Sequence, residues 1–285
     1  MISNAKILIV GSSVSTFVLK DGQKQPTGYY FNELAIPAQA LVDAGFEIVL
    51  VTPLGNEAIV DRHSLSASHF GGNEERFQNA RDFVTMNSGL RNPRTIKSAI
   101  EEGLENFMGV FLAGGHPPMI DLMVDADLGT VLRHFHTESK PTALLCHAPI
   151  AVAAAMKEAK RFRQALVDGD TLSAMDAAHD WQYAGYRMTV FSNEEEKWAE
   201  ENVLHGRVPF YVADALKNAG AILEFKGLFV PNVVQDRELI TGQNPASDHL
   251  LAAALVRALD VYTARRAAAM ANSESRSPAS LGTLN

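Results

Sequence analysis

Apolar positions fall in short unbroken runs, set apart by longer stretches with helical spacing. Ile7–Val10, Glu47–Thr52, Gly109–Ala113 and Thr142–Leu145 are such runs. They are too short and too apolar for surface helices and read as strands buried inside a parallel sheet. Between them, Tyr29–Ala44 reads as a helix closed by Gly45, Glu74–Asp82 and Thr95–Asn106 as two further helices, and Ile120–Thr137 as another. Strands alternating with helices predict an α/β fold: a doubly wound, mostly parallel sheet sandwiched by helices, with right-handed crossovers. In such sheets the site lies at the carboxyl ends of the strands.

The second half repeats the pattern less regularly. The Ala-rich run after Cys146 reads as a helix with Pro149 in its first turn. Lys157–Ala184 is charged, interrupted by Asp168-Gly169-Asp170, and reads as an inserted helical excursion that could form a lid or a partner surface. Arg187–Phe191 returns to the sheet, Val208–Asn218 is an amphipathic helix, and Ala221–Glu224, Phe229–Val234 and Glu238–Thr241 are closing strands. The last two are joined by a turn at Gln235-Asp236-Arg237. Asn244 caps a final helix opened by Pro245, with Leu251, Leu255, Leu259 and Tyr262 as its core stripe. The expected domain is residues 1–265; residues 266–285, Ala- and then Ser-rich without periodicity, are expected to be a disordered tail.

At 285 residues and 47% hydrophobic, the chain is long enough to bury a large core. Its single cysteine excludes an intrachain disulfide scaffold. A net charge of -8 without a dense basic run argues against nucleic acid as principal partner. No stretch is long enough to span a bilayer, and Ile7–Val10 is too short for a signal-peptide core, so a cytoplasmic protein is expected.

Cys146 changes the picture most. It lies between a buried strand and a helix start, the arrangement of a nucleophile elbow with sulfur as nucleophile. The positive end of a helix there would favour thiolate, the reactive form. The competing reading is a small buried hydrophobe. Two further polar features fall at predicted strand ends, Gly114-Gly115-His116 and the loop after Phe191, and they favour the reactive reading.

These motifs carry a resemblance. The segments Thr27–Glu33, Ala44–Pro53, Ala113–His116 with Asp121-Leu122, Leu145–Pro149, Phe191–Glu196 and Leu239–Ser247 occur in the order found in the ThiJ/PfpI superfamily. That superfamily is flavodoxin-like and similar to class I glutamine amidotransferase domains. The chain most resembles its branch of heat-shock chaperones that are also glutathione-independent glyoxalases (glyoxalase III) and protein deglycases. The resemblance implies that Cys146 is the nucleophile, His147 its neighbour in a triad and Glu196 the acid behind it. It also implies that Glu33 is the carboxylic acid touching the cysteine, with the backbone N–H groups of Gly115 and His147 as oxyanion hole.

A glutamate facing a thiolate in a dry pocket should have a raised pKa, and Pro37, which cannot donate to the Glu33 carbonyl, should distort the helix there. The Glu194-Glu195-Glu196 run taken alone reads as a solvated charge cluster.

The implied reaction is cofactor-free conversion of a small 2-oxoaldehyde such as methylglyoxal to a 2-hydroxy acid by a homodimer. An amidase, peptidase or isonitrile hydratase on the same scaffold, and a holdase chaperone or redox sensor, are the alternatives. Pro117-Pro118 after the histidine, Ile36 before the proline and the long 157–184 excursion depart from the branch pattern. His63, His69, Glu74 and Glu75 lie close in sequence, but their spacing matches no recognised metal-ligand pattern, and no metal is expected.

Overall fold

A computed structural model describes residues 5–275. In chain order, β1 (Lys6–Val10) leads into a small hairpin, β2 (Thr16–Val18) and β3 (Lys24–Pro26), then α1 (Phe31–Asp43) and β4 (Glu47–Thr52). α2 (Glu74–Met86), α3 (Ser88–Arg91), β5 (Arg94–Thr95), α4 (Ile96–Glu102) and β6 (Phe107–Leu112) follow. Next come α5 (Ala126–Thr137), β7 (Thr142–Leu145), a 3-10 helix (Ala148–Ala155), α6 (Ala159–Asp168) and α7 (Thr171–Ala177). β8 (Arg187–Met188) precedes α8 (Asn193–Ala199), which runs into a π-helix (Glu200–Leu204). The chain closes with α9 (Val212–Asn218), β9 (Ile222–Leu223), β10 (Val233–Asp236), β11 (Leu239–Gly242) and α10 (Asp248–Ser275).

Seven strands form the central sheet in the order β10-β11-β7-β6-β1-β4-β5. All neighbours are parallel except β10, which pairs antiparallel with β11 through Val234↔Thr241 and Gln235↔Ile240. Ile7, Leu8 and Ile9 of β1 and Val110, Phe111 and Leu112 of β6 have no exposed surface. Both faces of these strands are covered, which is why their sequences do not alternate. Truncating Phe111 to alanine would cost about 3–5 kcal/mol. The chain leaves β1 for β4 on one side and returns to β6 on the other, so the sheet has its switch point beside the carboxyl ends of β1 and β6. Among the described residues no helix is long and apolar enough to cross a membrane.

Several sequence expectations are corrected. The run after Cys146 is a 3-10 helix, fully buried on every side; an all-apolar Ala-rich sequence reports burial, not which helix forms. Arg187–Phe191 does not return to the main sheet: only Arg187 and Met188 are extended, and they pair with β9 in a separate two-stranded sheet. Instead, the Thr189 N–H donates to Thr241 Oγ1 (2.8 Å) and the Phe191 N–H to the Cys146 carbonyl (2.8 Å), so the segment lies across the carboxyl ends of β11 and β7.

β10 begins at Val233, not Phe229. Asn244 does not cap α10 with its side chain; its amide donates to Glu195 (2.8 Å) and to the Val230 carbonyl (3.0 Å). Helix α1 carries Pro37 in its interior, and the proline leaves the Glu33 carbonyl without a helical N–H donor from that position. The final helix runs to Ser275, past the expected start of a tail at 266, and the rest of that tail lies outside the described residues. The 157–184 excursion folds as α6 and α7, and none of its residues lines the cavity at Cys146, so it is not a lid.

Candidate active site

Cys146 ends β7 in a left-handed conformation, φ 63°. A side chain in that region costs roughly 1–3 kcal/mol and survives only where the surroundings hold it. Here the Cys146 N–H donates to the Gly242 carbonyl (2.9 Å) and its carbonyl accepts from Phe191 (2.8 Å), so backbone on both sides fixes the elbow. The Gly114-Gly115 turn at the end of β6 is packed against it. A Cβ on Gly114 would lie 2.5 Å from Glu33 Oε2 and 2.6 Å from Cys146 Cβ; one on Gly115, φ 94°, would lie 2.1 Å from the Gly28 carbonyl oxygen. Only glycine lets the backbone come this close, and the Gly115 N–H next to the Cys146 sulfur favours its thiolate.

Glu33 reaches the sulfur from the first turn of α1. The start of that helix is anchored by a hydrogen bond from the Tyr30 N–H to the Gly114 carbonyl (3.2 Å) and by Asn32 Nδ2, which donates to Asp248 Oδ2 (2.7 Å). Glu33 has no exposed surface. Its Oε2 accepts from the Gly114 N–H (2.9 Å), and its Oε1 has no hydrogen-bond partner in the protein.

On the other side of the sulfur, His147 Nδ1 lies 3.2 Å from Sγ, and His147 Nε2 lies 2.7 Å from Glu196 Oε2. Glu196 Oε1 lies 3.0 Å from His116 Nε2. The two imidazoles pack at 4.3 Å, with Phe191 over His147 at 4.4 Å and Phe17 stacked on His116 at 4.9 Å. Glu196 is 1% exposed. It belongs to the charge run that reads as solvated, but a capping box of Ser192 and Glu195 starts α8 so that Glu196 faces inward.

These neighbours set the protonation states. Burial pushes the Glu33 carboxyl up to about 8, against the neighbouring Cys146 side chain and the Gly114 N–H, which lower it. Burial, and behind it Glu33, push the Cys146 thiol well above its ordinary value. The expected pre-formed thiolate is therefore corrected: the sulfur is 2% exposed, and the short 3-10 helix behind it does not outweigh desolvation. Burial lowers His147, with Glu196 opposing. Burial also works against a charge on His116, but Glu196 outweighs it and the pKa rises. Burial of Glu196 is likewise outweighed, by His147 and His116, and its carboxyl sits far below the usual range.

At neutral pH the array is a neutral Glu33 acid, a thiol, a neutral His147 and an ionised Glu196, with His116 drawn toward its protonated form by that carboxylate. Glu196 accepts the Nε2–H of His147, which leaves Nδ1 free to accept the thiol proton.

The sulfur is buried but reachable, because Cys146, His147, His116 and Gly115 line a cavity of about 420 Å³ with Phe17, Tyr30, Phe191, Trp198 and Phe229 among its walls. All the residues implied by the resemblance (Cys146, His147, Glu33, Glu196 and Gly115) meet at one corner of the sheet. His116 joins them without a role implied by the resemblance, and its place in a Gly-Gly-His turn at a strand end is the signal for it in the sequence. His63, His69, Glu74 and Glu75 are not gathered: His63 lines the cavity, His69 packs edge-on to Tyr30, and the two glutamates start α2 on the surface. Among the described residues, the one metal-compatible group is His116, His147 and Glu196, with ligand atoms within 4.8 Å of one another. Those atoms already hydrogen-bond to each other, and an ion there would have to displace both bonds.

Comparison with known proteins gives a consistent grouping. A profile described as ThiJ/PfpI family-like matches residues 25–194. The glutathione-independent glyoxalase hsp3102 of Schizosaccharomyces pombe is 29% identical over 255 residues, covering 88% of this chain and 96% of that protein. The protein/nucleic acid deglycase HchA of Pseudomonas aeruginosa is 23% identical over 251 residues, covering 86% and 78%. Glyoxalase III from Candida albicans has the same fold, with a TM-score of 0.69 at 20% identity over 89% of this chain and 97% of that one.

Proposed function

The chain belongs to the ThiJ/PfpI family, and on that footing we propose that it is a cysteine-dependent, cofactor-free glyoxalase that converts 2-oxoaldehydes to 2-hydroxy acids with water alone. Relatives named glyoxalase and deglycase support an enzyme of this kind. One observation carries the finer reading: Cys146 Sγ lies 3.2 Å from His147 Nδ1 and beside the fully buried Glu33 carboxyl, which burial holds in its acid form. An acid and a base on opposite sides of a nucleophile suit proton transfer between adjacent carbons.

The steps balance from that starting state. Sγ adds to the aldehyde carbon as its proton passes to His147 Nδ1. The new alkoxide, facing the Gly115 and His147 N–H groups, takes the Glu33 proton to give a hemithioacetal. Glu33, now a carboxylate, removes the hydrogen from that carbon while His147 protonates the neighbouring ketone oxygen, giving an enediol. Glu33 returns the proton to the second carbon and His147 accepts the hydroxyl proton of the first, leaving a thioester. Water attacks, its proton going to Glu33 while His147 protonates the departing sulfur. The acid is released and both groups return to their resting states. Glu33 Oε1, without a protein partner, is the atom placed to exchange these protons.

A substrate panel without glutathione tests the reading. Lactate from methylglyoxal is expected. Hydrolysis of an amide or hydration of an isonitrile, with no aldehyde turnover, would assign the site to a different hydrolytic chemistry. A two-fold homodimer is part of the proposal, and light scattering at the monomer mass would remove it.

A further inference from the structure

The cavity that Cys146 lines also contains features the reaction does not use. Phe229 has φ 55°, a conformation that is a true outlier for a bulky side chain. It is held there by its N–H, which donates to Glu195 Oε1 (2.9 Å). Glu195 has no exposed surface and also accepts from Ser192 N–H, Gln243 Nε2 and Asn244 Nδ2. A fully buried carboxylate with four N–H donors thus pins one strained aromatic residue.

The strain aims the Phe229 ring edge-on to Trp198 at 5.1 Å, and both line the cavity. Trp198 remains 42% exposed, an unusual place for a large aromatic. Directly after it the chain is a π-helix, Glu200–Leu204, a form that collects at functional sites, and this turn sends Val203 and Leu204 into the same wall.

A methyl-bearing 2-oxoaldehyde has only five non-hydrogen atoms and would leave most of the cavity unfilled. A cavity of about 420 Å³ instead lies in the roughly 300–1,000 Å³ range that ordinarily holds much larger ligands. Local strain maintained by a buried network and directed into a cavity calls for a functional reason. We propose that the Trp198–Phe229 pair, completed by Leu204, is the binding wall for an aryl or branched alkyl group on the ketone side of the substrate, so that the preferred substrates are bulky apolar 2-oxoaldehydes. The inference rests on the glyoxalase reading for the reacting carbons and on the wall for the rest of the molecule. Glu195 is a positioning residue for that wall.

The experiment has two arms. In the first, kcat/KM is compared for phenylglyoxal and methylglyoxal. The wild type should favour phenylglyoxal on the order of tenfold or more, and the ratio should fall toward one in Trp198→Ala and Phe229→Gly. A wild-type ratio of one or less, or an unchanged ratio in both variants, overturns the proposal.

The second arm needs no turnover: the corresponding 2-hydroxy acids, mandelate and lactate, are titrated into wild-type protein and followed by tryptophan fluorescence. Trp198 faces the cavity, and Trp181 is 4% exposed. Mandelate should bind on the order of tenfold more tightly. Equal binding removes the apolar site whatever is turned over. Tighter mandelate binding with neither aldehyde consumed keeps the site and removes the glyoxalase reaction.

Discussion

Replacing Glu33 by glutamine should abolish turnover and stabilise the fold. In the folded protein the carboxyl is held neutral up to about 8, against an ordinary value of 4.5. Below about 4.5 folded and unfolded chains are both protonated, and this group's contribution to stability is fully present. As pH rises from there to about 8, the unfolded chain ionises and the folded one does not, so stability is lost steadily. Each pKa unit is worth about 1.4 kcal/mol, and at pH 7 the loss amounts to about 3 kcal/mol.

Glutamine does not titrate and escapes that loss. Its amide oxygen can still accept from the Gly114 N–H, and the side chain keeps its size without a charge to desolvate. Glu33→Gln should therefore melt about 5–10 °C higher at pH 7 and gain only about a quarter as much near pH 5, while kcat falls by about 10²–10⁴-fold. Thermal melts and urea titrations across pH, beside turnover, read both effects. A variant less stable than wild type at pH 7, or a gain of the same size at both pH values, would refute the assignment of Glu33 as a buried neutral acid.

Three other outcomes follow from the same geometry. Glu196→Gln removes the buried carboxylate that both His116 and His147 hydrogen-bond to, and with it the acceptor that fixes the His147 tautomer; calorimetry should show a loss of about 1–3 kcal/mol, and kcat should drop about 10²–10⁴-fold. Gly115→Ala forces a Cβ to 2.1 Å from the Gly28 carbonyl at φ 94°, so a loss of about 3 kcal/mol or more in unfolding free energy is expected, together with inactivity. The pH profile of kcat/KM should be bell-shaped. Its alkaline limb should fall near 8 as Glu33 ionises, and its acid limb should lie below the ordinary histidine value because His147 is lowered.

The central strands were legible because burial on both faces leaves unbroken apolar runs such as Ile7–Val10 and Thr142–Leu145, and the elbow was legible because such a run ends at Cys146. What depends on contacts far along the chain was not. Nothing local in Arg187–Phe191 says that it crosses the strand ends rather than joining them. Glu194, Glu195 and Glu196 look alike in sequence, yet Glu194 is exposed while Glu195 and Glu196 turn inward, because their partners come from residues 116, 147, 229, 243 and 244. The expected thiolate failed for a similar reason. The helix position was read correctly, but the desolvation around the sulfur comes from packing that a single segment does not encode.

The central claim is that Cys146 itself forms the bond to the substrate. Lactate formation from methylglyoxal, without glutathione or any added thiol, should be measured side by side on the wild type and a folded Cys146→Ala. The account predicts steady lactate production by the first and none above the uncatalysed background from the second; equal production by both would contradict it.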